Sequence, residues 1–440
     1  MRQARRARCV RATCNAAPEP PVGGALRFTA RIAAAVYAFA LSYTLLGRLA
    51  GSSPFLSHAF LRLLEESGSV ARERGWLPTH LVARDKGTGE VQGVAPMYLK
   101  GHSRGEYVFD QSWARFYEEN GKQYYPKLQC AVPMTPVQGP RLLVREGAPE
   151  GTRRELARGM AWLCDQYDAS SLHVTFCSQS DAAWLTGDGA GRGGPAQEML
   201  LRTGMQYHWH NENALGEPYA SFDEYLAALT QKRRNAVRKE MRQVARAGYT
   251  CRRLRGHEIT PELWRRFFDF YLDTTERKWG QPYLTMGFFV GLSDALGDSA
   301  LLVVAESGES GEIVAGALNV VGSDCIYGRN WGCAPGLRVN GLHMQVCYYE
   351  AIAAAIELGL ARVEAGAQGD HKVARGYLPA PTYSAHYIRA PELRQPIAKA
   401  IAREREDLDE VRRSILSEAS PFKAGCEPPR ARKLLQDNLS

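Results

Sequence analysis

Two stretches of the chain, about 220 residues apart, share one order of strands and turns. They are LVARDKGTGEVQGVAPMYLKGHSRGEYVFD from Leu81 and LVVAESGESGEIVAGALNVVGSDCIYGRNW from Leu302. Each begins with an apolar strand that ends at an acid, Asp85 or Glu306, and continues through a glycine-containing turn into two further strands. Strands separated by such turns are typical of hairpin-connected meanders. Because the pattern occurs twice, it predicts one fold used twice.

The segments that follow the two meanders also correspond. A helical pattern comes next in both copies, TRRELARGMAWLCDQY and NGLHMQVCYYEAIAAAIELGL, and each is followed by a short strand, SLHVTF or ARVEAG. Antiparallel strands, then a helix, then another strand predict an α/β unit with a mixed sheet. A chain of 440 residues is also too long for one ordinary core. The sequence therefore predicts a tandem α/β duplication.

A basic segment joins the two copies. Residues 221–248 begin with the capping-box pair Ser221 and Glu224 and stop at Gly248, which predicts one long helix. Arginines recur on it every four residues, at Arg234, Arg238, Arg242 and Arg246. Two interpretations are open: a solvated charged face, or a row of cations for the phosphates of coenzyme A or RNA.

The positive charge of the chain is concentrated at its N-terminus. The formal net charge is +8, but residues 1–50 hold eight arginines and a single acid, so only +1 is left for the other 390 residues. An arginine- and alanine-rich, acid-poor start is typical of an organelle transit peptide. The VRAT sequence at residues 10–13 favours a chloroplast over a mitochondrion; without a functional leader the protein would be cytoplasmic.

Neither a membrane helix nor a metal site is predicted. The apolar run at residues 32–47 has sixteen residues, fewer than the ~20 that a membrane helix needs, so we expect no stable membrane insertion. The ten cysteines form no C-x-x-C pair, which is typical of reduced, buried thiols. His208 and His210 lie two residues apart without a third ligand at metal spacing.

Long strings of the chain resemble a known family. They include PFLSHAFLRLLEESGSV, YYPKLQCAVPMTPVQGPRLL, YLDTTERKWGQPYLT, LHMQVCYYEAI and EAGAQGDHKVARGYLPAPTYSAHYI. The chain is similar, over residues 51–423, to predicted N-acyltransferases of a peptidoglycan biosynthesis/recognition family, relatives of the Fem-type aminoacyltransferases in the GNAT superfamily. The resemblance implies an α/β fold of tandem duplicated GNAT-like (acyl-CoA N-acyltransferase) domains with mixed central sheets.

The expected organisation follows from the duplication and the resemblance together. We expect a transit peptide and leader at 1–50, an N-terminal GNAT-like domain at 51–220, a C-terminal one at 221–425 and a tail at 426–440. The resemblance implies transfer of an acyl or aminoacyl group from acyl-CoA or aminoacyl-tRNA to a small-molecule or peptide amine. A tRNA partner and a catalytically silent module that binds peptides or glycans remain alternatives.

The candidate catalytic residues lie in RVEAGAQGDHKVARGY, residues 362–377. Amide formation needs a base for the amine and stabilisation of the developing oxyanion. Glu364, at a predicted strand end, and His371 are candidate bases. The resemblance implies that Lys372 matches the functional lysine of Fem-type enzymes by position. The alternative is a salt-bridge network of Glu364, Asp370, Lys372 and Arg375 that only braces the turn.

Candidate substrate-binding residues surround this segment. In GNAT folds the strand that corresponds to YGRNWGC separates from its neighbour to hold the donor, and strand alternation predicts that Tyr327, Arg329 and Trp331 share one face. His343 would start the helix after the expected pyrophosphate loop. The full expected set is Tyr327, Arg329, Trp331, His343, Gly366, Gly369, Asp370, Arg375, Tyr383 and His386, with Arg234, Arg238 and Arg242 for phosphate.

Overall fold

The computed structural model of the protein describes residues 26–30, 53–187, 199–366, 370–418 and 420–436. Most of the predicted leader, including the apolar run 32–47, lies outside these residues, and organelle targeting stays a prediction. Within the described ranges, none of the helices combines the length and the apolar composition of a membrane span.

The described residues form fifteen strands in a small sheet and a large one. They are β1 (Leu26–Ala30), β2 (Trp76–Pro78), β3 (Leu81–Asp85), β4 (Val91–Ala95), β5 (Met97–Lys100), β6 (Lys127–Cys130), β7 (Leu143–Val144), β8 (Ser171–Cys177), β9 (Leu200–His210), β10 (Tyr249–Arg255), β11 (Ala300–Ser307), β12 (Ile313–Val321), β13 (Cys325–Cys333), β14 (Arg362–Glu364) and β15 (Leu378–Ile388). The small sheet has the order β1-β3-β4-β7, and the large one β10-β11-β12-β13-β14-β9-β15-β8-β6-β5-β2.

The α-helices lie between and around these strands. They are α1 (His58–Glu66), α2 (Gln111–Glu119), α3 (Thr152–Gln166), α4 (Gln179–Thr186), α5 (Phe222–Ala228), α6 (Gln231–Arg246), α7 (Pro261–Trp279), α8 (Met286–Val290), α9 (Leu292–Leu296), α10 (Leu342–Met344), α11 (Glu350–Glu357), α12 (Pro391–Glu418) and α13 (Pro429–Gln436). A π-helical turn, Gln345–Tyr349, joins α10 to α11, and a 3-10 turn, Asp370–Arg375, precedes β15. The helices and short strands predicted after both meanders are confirmed.

The large sheet joins the two halves of the chain by strand exchange. Strand β9, the last of the first half, pairs antiparallel with β14 of the second half. Strand β15, the last of the second half, pairs antiparallel with both β9 and β8. The predicted mixed α/β duplication is therefore confirmed, but the two copies share one continuous eleven-stranded sheet.

The first meander differs from the second. Strands β11, β12 and β13 are neighbours in the large sheet, whereas β3 and β4 belong to the small sheet and β5 to the large one. Pro96 lies between β4 and β5 and has no N–H to donate, and its carbonyl accepts from Ala131 N at 3.2 Å. The three strands of the first meander are thus divided between two sheets.

The single long helix predicted at 221–248 is wrong, because the chain breaks between α5 and α6. Leu229 has extended backbone and forms a bridge with Phe422, and Thr230 N donates to Pro421 O at 2.8 Å. These partners are remote in sequence and lie outside the helical pattern. A tertiary contact therefore overrides local helix propensity here.

A buried ionic cluster anchors the segment 101–110, which precedes α2. Lys127 Nζ lies 2.6 Å from Glu106 Oε2 and also donates to Asp110, while Lys100 Nζ lies 3.8 Å from Glu106 Oε1. All four side chains are buried. Burial alone would lower the pKa of Lys127, but the carboxylates of Glu106 and Asp110 raise it above the ordinary value. The charged form of Lys127 is therefore the form that holds this segment.

We expect Lys127→Met to lower the free energy of unfolding by about 3–5 kcal/mol, because it removes the cation that Asp110 contacts and leaves Glu106 with Lys100 alone, at 3.8 Å. Urea denaturation followed by tryptophan fluorescence would measure this loss. The matched control introduces Lys127→Met together with Glu106→Gln and Asp110→Asn, which should recover most of the stability. A triple variant as unstable as Lys127→Met alone would contradict the proposed anchoring.

Candidate functional site

The parallel pair formed by β13 and β14 separates after three residues. Cys325, Ile326 and Tyr327 pair with Arg362, Val363 and Glu364, respectively, and β14 ends there. Strand β13 continues to Cys333, so its edge beyond Tyr327 has no partner on that side among the described residues. The separation that the resemblance implied for this strand is thus present.

A bulge at Arg329 changes which residues of β13 share a face. Asn319 on β12 pairs with Gly328, and the preceding Leu318 pairs with Asn330, so Arg329 is an extra residue without a partner in this pairing. Tyr327 packs in the cluster that contains Phe55, whereas Trp331 packs on the opposite side of the sheet beside Ala317. The expectation that Trp331 shares the face of Tyr327 and Arg329 is therefore wrong, because a bulge shifts the alternation by one residue.

A cavity of about 330 Å³ lies on the Tyr327 side of the separated strands, and we call it the front cavity. The second half contributes residues 283–284, 327–330, 364 and 366. The first half contributes residues of 103–111 and 134–137 together with Phe55 and Gln206. The segment anchored by Lys127 is thus one wall of this cavity.

A smaller cavity of about 140 Å³, the rear cavity, lies on the other side. Its walls are residues 317–319, 328–331, 343, 347–348 and 365–366. Four residues border both cavities: Gly328, Arg329, Asn330 and Gly366. The two cavities therefore approach each other at the point where β13 and β14 separate.

Glu364 is buried beside the front cavity. Its Oε1 accepts from Arg362 Nε at 3.0 Å, and its Oε2 has no hydrogen-bond partner among the described residues. The nearest ion-pair distance for Oε2 is 3.8 Å, to His208 Nε2. Burial lowers the pKa of His208, against the opposite effect of Glu364, so this imidazole is neutral at pH 7. One carboxylate oxygen is thus available for a proton or a substrate group.

Arg329 lies between the two cavities in an aromatic environment. Its guanidinium carbon is 5.0 Å from the ring centre of Phe288 and 5.8 Å from that of Phe60. It donates to neutral oxygens, those of Asn330 Oδ1 at 2.7 Å, Met134 O at 3.3 Å and Thr135 Oγ1 at 3.3 Å. Burial lowers the pKa of Arg329 to about 10, so it stays protonated at neutral pH.

Lys372 is buried next to this junction. Its Nζ donates to Gly366 O at 2.9 Å and lies 6.0 Å from the ring centre of Tyr207. Gly366 has a φ of +76°, a backbone conformation that favours glycine. Burial lowers the pKa of Lys372 to about 8. The charge of Lys372 therefore lies in a poorly solvated position beside Gly366, one of the four residues that border both cavities.

Aromatic and imidazole rings surround the rear cavity. The His343 ring centre lies 5.0 Å from that of Trp331 and 5.6 Å from that of Tyr348. Tyr348 Oη forms a hydrogen bond of 2.9 Å with His371 Nε2. His371 is thus connected to the rear cavity, and not directly to Glu364, through a tyrosine that the sequence reasoning did not select.

The turn at 370–375 is braced, but not by the expected network. Arg375 NH2 lies 2.8 Å from both carboxylate oxygens of Glu240 on α6, and its Nε donates to Tyr349 Oη at 2.9 Å. Glu364 and Lys372 have other partners, as described above. Gly369 and the side chain of Asp370 lie outside the described residues, so their roles stay predictions.

Two expected residues lie away from the cavities at the β13–β14 separation. Tyr383 on β15 packs against the core of the first half, between β8 and β9. His386 is buried, and its Nδ1 lies 2.7 Å from Nδ1 of His173. The alternation of TYSAHYI, residues 382–388, predicts that Tyr383 and His386 lie on opposite faces of a strand, and this is confirmed, but the structure does not bring these side chains to Glu364.

The arginine row lies on the outer face of α6. Arg238 and Arg242 are exposed, Arg234 is half-buried, and Arg238 forms an exposed ion pair of 3.3 Å with Asp223. The same helix contacts the loop before α10, since a Cβ placed on Gly341 would lie 2.8 Å from Glu240 O. The arginine row therefore lies on the helix that contacts the N-terminus of α10.

Sequence reasoning missed the contribution of the first half to the front cavity. Tyr107 and Met134 line it and have φ values of +58° and +55°, which non-glycine residues rarely adopt. Segments rich in turn formers, GHSRGEY and VPMTPVQGP, contain them. These turn-forming segments were the one signal in the sequence that could have indicated the first-half wall, because strained backbone is concentrated at functional sites.

Within the described ranges, no group of three or more His, Cys, Asp or Glu residues is arranged to hold a metal ion. His208 and His210 have ring centres 6.4 Å apart, and both are close to the junction of β9 with β14.

Residues 41–424 match the model of a family described as FemAB-like, peptidoglycan biosynthesis/recognition. The chain belongs to this family. The match covers both halves of the chain, so the FemAB-like family includes both copies of the repeated unit. A search of curated proteins found no match.

Solved structures of similar fold accompany the FemAB-like match. FemX is 14% identical with a TM-score of 0.47, over 81% of this chain and 98% of that chain. L-PGS from Bacillus licheniformis is 13% identical with a TM-score of 0.44, over 80% and 98%. A tandem GNAT protein from the clavulanic acid biosynthesis pathway is 13% identical with a TM-score of 0.41, over 82% and 98%.

We expect Lys372→Met to raise the free energy of unfolding by about 1–3 kcal/mol at neutral pH, because the buried charge opposes folding. The folded pKa of about 8 is below the ordinary 10.5, so the unfolded chain binds more protons between these values. Wild-type stability should rise with pH across this window, and the advantage of the variant should disappear by its upper end. Urea denaturation of both proteins from pH 7 to pH 10.5 measures it.

The relevant quantity is the difference in the free energy of unfolding between the wild type and the variant. Tyrosines and cysteines also titrate in this pH range, but their contributions are the same in both proteins and cancel in the difference. A variant that is less stable than the wild type at every pH would contradict a charged, desolvated lysine.

Proposed function

We propose that the protein transfers an acyl or aminoacyl group to the nitrogen of an amine at the junction of the front and rear cavities. The observation that supports this most is the pair of cavities on opposite sides of β13 and β14 with four residues in common. Two reactants that enter from opposite sides would meet there. Family membership supports a transferase in general, while the donor and the acceptor are part of the proposal.

Glu364 is the proposed base. An amine must lose a proton before its nitrogen can attack a carbonyl, and a carboxylate within reach can accept it. The unpartnered Oε2 of Glu364 meets this requirement without breaking the contact of Oε1 with Arg362. Because burial keeps His208 neutral, its Nε2, 3.8 Å away, does not compete for this oxygen as a cation.

The charge that develops on the attacked carbonyl oxygen also needs stabilisation. Beyond Tyr327, the edge of β13 pairs with no described residue on that side and offers backbone groups fixed by the sheet, and Lys372 places a cation beside Gly366. Preorganised dipoles and charges in a poorly solvated site stabilise an oxyanion more than water does. We assign this role to the edge of β13 and to Lys372 together.

We expect Glu364→Gln to reduce the rate of acylation of a basic amine by about 10²- to 10⁴-fold, because the base is lost while the side-chain shape is kept. The defect should shrink with hydroxylamine, which is already neutral near pH 7. Rates are measured by mass spectrometry with an acyl-CoA or aminoacyl-tRNA donor. Glu309→Gln, an exposed substitution in the β11–β12 turn, is the matched control.

An equal loss with both nucleophiles would contradict the base role and leave Glu364 a structural residue. A wild-type protein without turnover for any donor, yet with binding of peptides or glycans, would favour the silent binding module.

The exposed arginines of α6 favour aminoacyl-tRNA as the donor. They lie on a helix that contacts the loop before α10, and His343 of α10 lines the rear cavity. Guanidinium groups that bind phosphates release counterions, which makes affinity salt-dependent. Coenzyme A, with fewer phosphates, would need fewer of these side chains.

For this donor, we expect Arg238→Gln with Arg242→Gln to weaken tRNA binding about tenfold and to lower the steepness of its salt dependence. Filter binding of charged tRNA at several salt concentrations measures both. Lys399→Gln with Arg403→Gln, an exposed pair at the same spacing on α12, is the control. Binding that both pairs reduce equally would indicate non-specific attraction, and a melting-temperature rise with acyl-CoA alone would favour the thioester donor.

A further inference from the structure

The front cavity carries one acid and one enclosed cation in a largely apolar wall. Among its described lining residues, Glu364 is the one carboxylate, and the cations are Arg329 at the strand junction and the exposed Arg104. Phe55, Val137 and Leu284 contribute apolar surface. A cavity with these features would select a ligand by two charges of opposite sign.

Arg329 has no charged partner among the residues that the structure describes. It forms no ion pair with any carboxylate of the described residues, and all three of its acceptors are neutral oxygens. Its Nε is buried and has no hydrogen-bond partner within those residues. A guanidinium held among aromatic rings loses hydration, and a carboxylate that accepts a hydrogen bond from its Nε would compensate for this loss with a charge-assisted contact. The cavity is therefore incomplete without an anion.

Glu364 has the complementary deficiency close by. Glu364 pairs with Tyr327 across β13 and β14, Arg329 follows Tyr327 by two positions at the bulge, and both residues line the front cavity. Oε2 of Glu364 and Nε of Arg329 are both buried without hydrogen-bond partners among the described residues. The two unsatisfied groups thus lie at the same end of β14, with opposite charge.

We propose that the acceptor is a free amino acid whose carboxylate binds Arg329 and whose amino group lies beside Glu364. This rests on the proposed function and adds the class of its acceptor. A free amino acid carries both a carboxylate and an amino group, which complement the Nε of Arg329 and the Oε2 of Glu364 on the wall of this cavity. The cavity volume of about 330 Å³ accommodates a side chain as well.

The reaction balances without a further reactant. The ammonium group gives one proton to Glu364, and the neutral nitrogen then attacks the acyl carbonyl to form the C–N bond. The C–S or C–O bond to the donor breaks, and the second nitrogen proton goes to the departing sulfur or oxygen. The products are an N-acylated amino acid, the thiol or hydroxyl form of the donor and one proton released from Glu364.

The first test compares ligands on the unaltered protein, so it does not depend on the folding of a variant. Each standard amino acid, its carboxamide and its decarboxylated amine are added at millimolar concentration, and melting temperature and calorimetric affinity are measured. We expect at least one amino acid to bind about 10- to 100-fold more tightly than its carboxamide. Binding of no amino acid, or equal binding of the carboxamide, would overturn the proposal.

The second test assigns the anion to Arg329. Arg329→Gln should raise the KM for the preferred amino acid about 10- to 100-fold and leave the KM for the carboxamide unchanged, whereas Arg329→Lys should recover part of the preference. Circular dichroism checks that each variant is folded. Arg329→Gln that keeps the full preference for the carboxylate would overturn the assignment.

Two outcomes separate this inference from the proposed function. If the protein acylates amines with no preference for a carboxylate, the transferase stands and the amino acid acceptor fails. If amino acids bind through Arg329 but no donor yields product, the binding site stands and the transferase fails. O-phosphoethanolamine tests whether Arg329 binds a phosphate group instead of a carboxylate. If it binds more tightly than every amino acid, the assignment of a carboxylate ligand is overturned.

Discussion

The pairing of β9 with β15 is the contact on which the rest of the structure depends. Nine residues of β15, Leu378 to His386, pair with β9, and each of these strands also pairs with a strand of the opposite half. The duplicated units are thereby joined edge to edge in one sheet. Because the front cavity takes walls from both halves, its shape is fixed by this shared sheet and not by a contact between separate domains.

The site itself results from a short strand beside a long one. Strand β14 ends at Glu364 while β13 continues, so backbone groups of β13 next to a buried carboxylate pair with no described residue on that side. The bulge at Arg329 adds one residue at the same place and directs a guanidinium into the junction. Local departures from regular pairing thus place the charged side chains.

Patterns within one element were readable from the sequence. The meanders, the helices after them, the strand at 171–177 and the opposite faces of Tyr383 and His386 depend on local periodicity, and the resemblance implied the separation beside Tyr327. Features set by distant partners were not readable: the break at Leu229, the bulge at Arg329 and the walls from the first half. Phe422, which pairs with Leu229, is nearly 200 residues away in the chain.

The exchanged strands have a consequence for how the chain is made. Strand β8 of the first half gains its neighbour β15 only after synthesis has passed residue 388, more than 200 residues later. Until then its edge is open, and the ribosome-bound chain carries an incomplete sheet with exposed backbone groups. Pairings so remote in sequence slow folding. The large sheet of this protein is therefore incomplete until β15 has been made, and the edge of β8 must be kept from other strand edges until then.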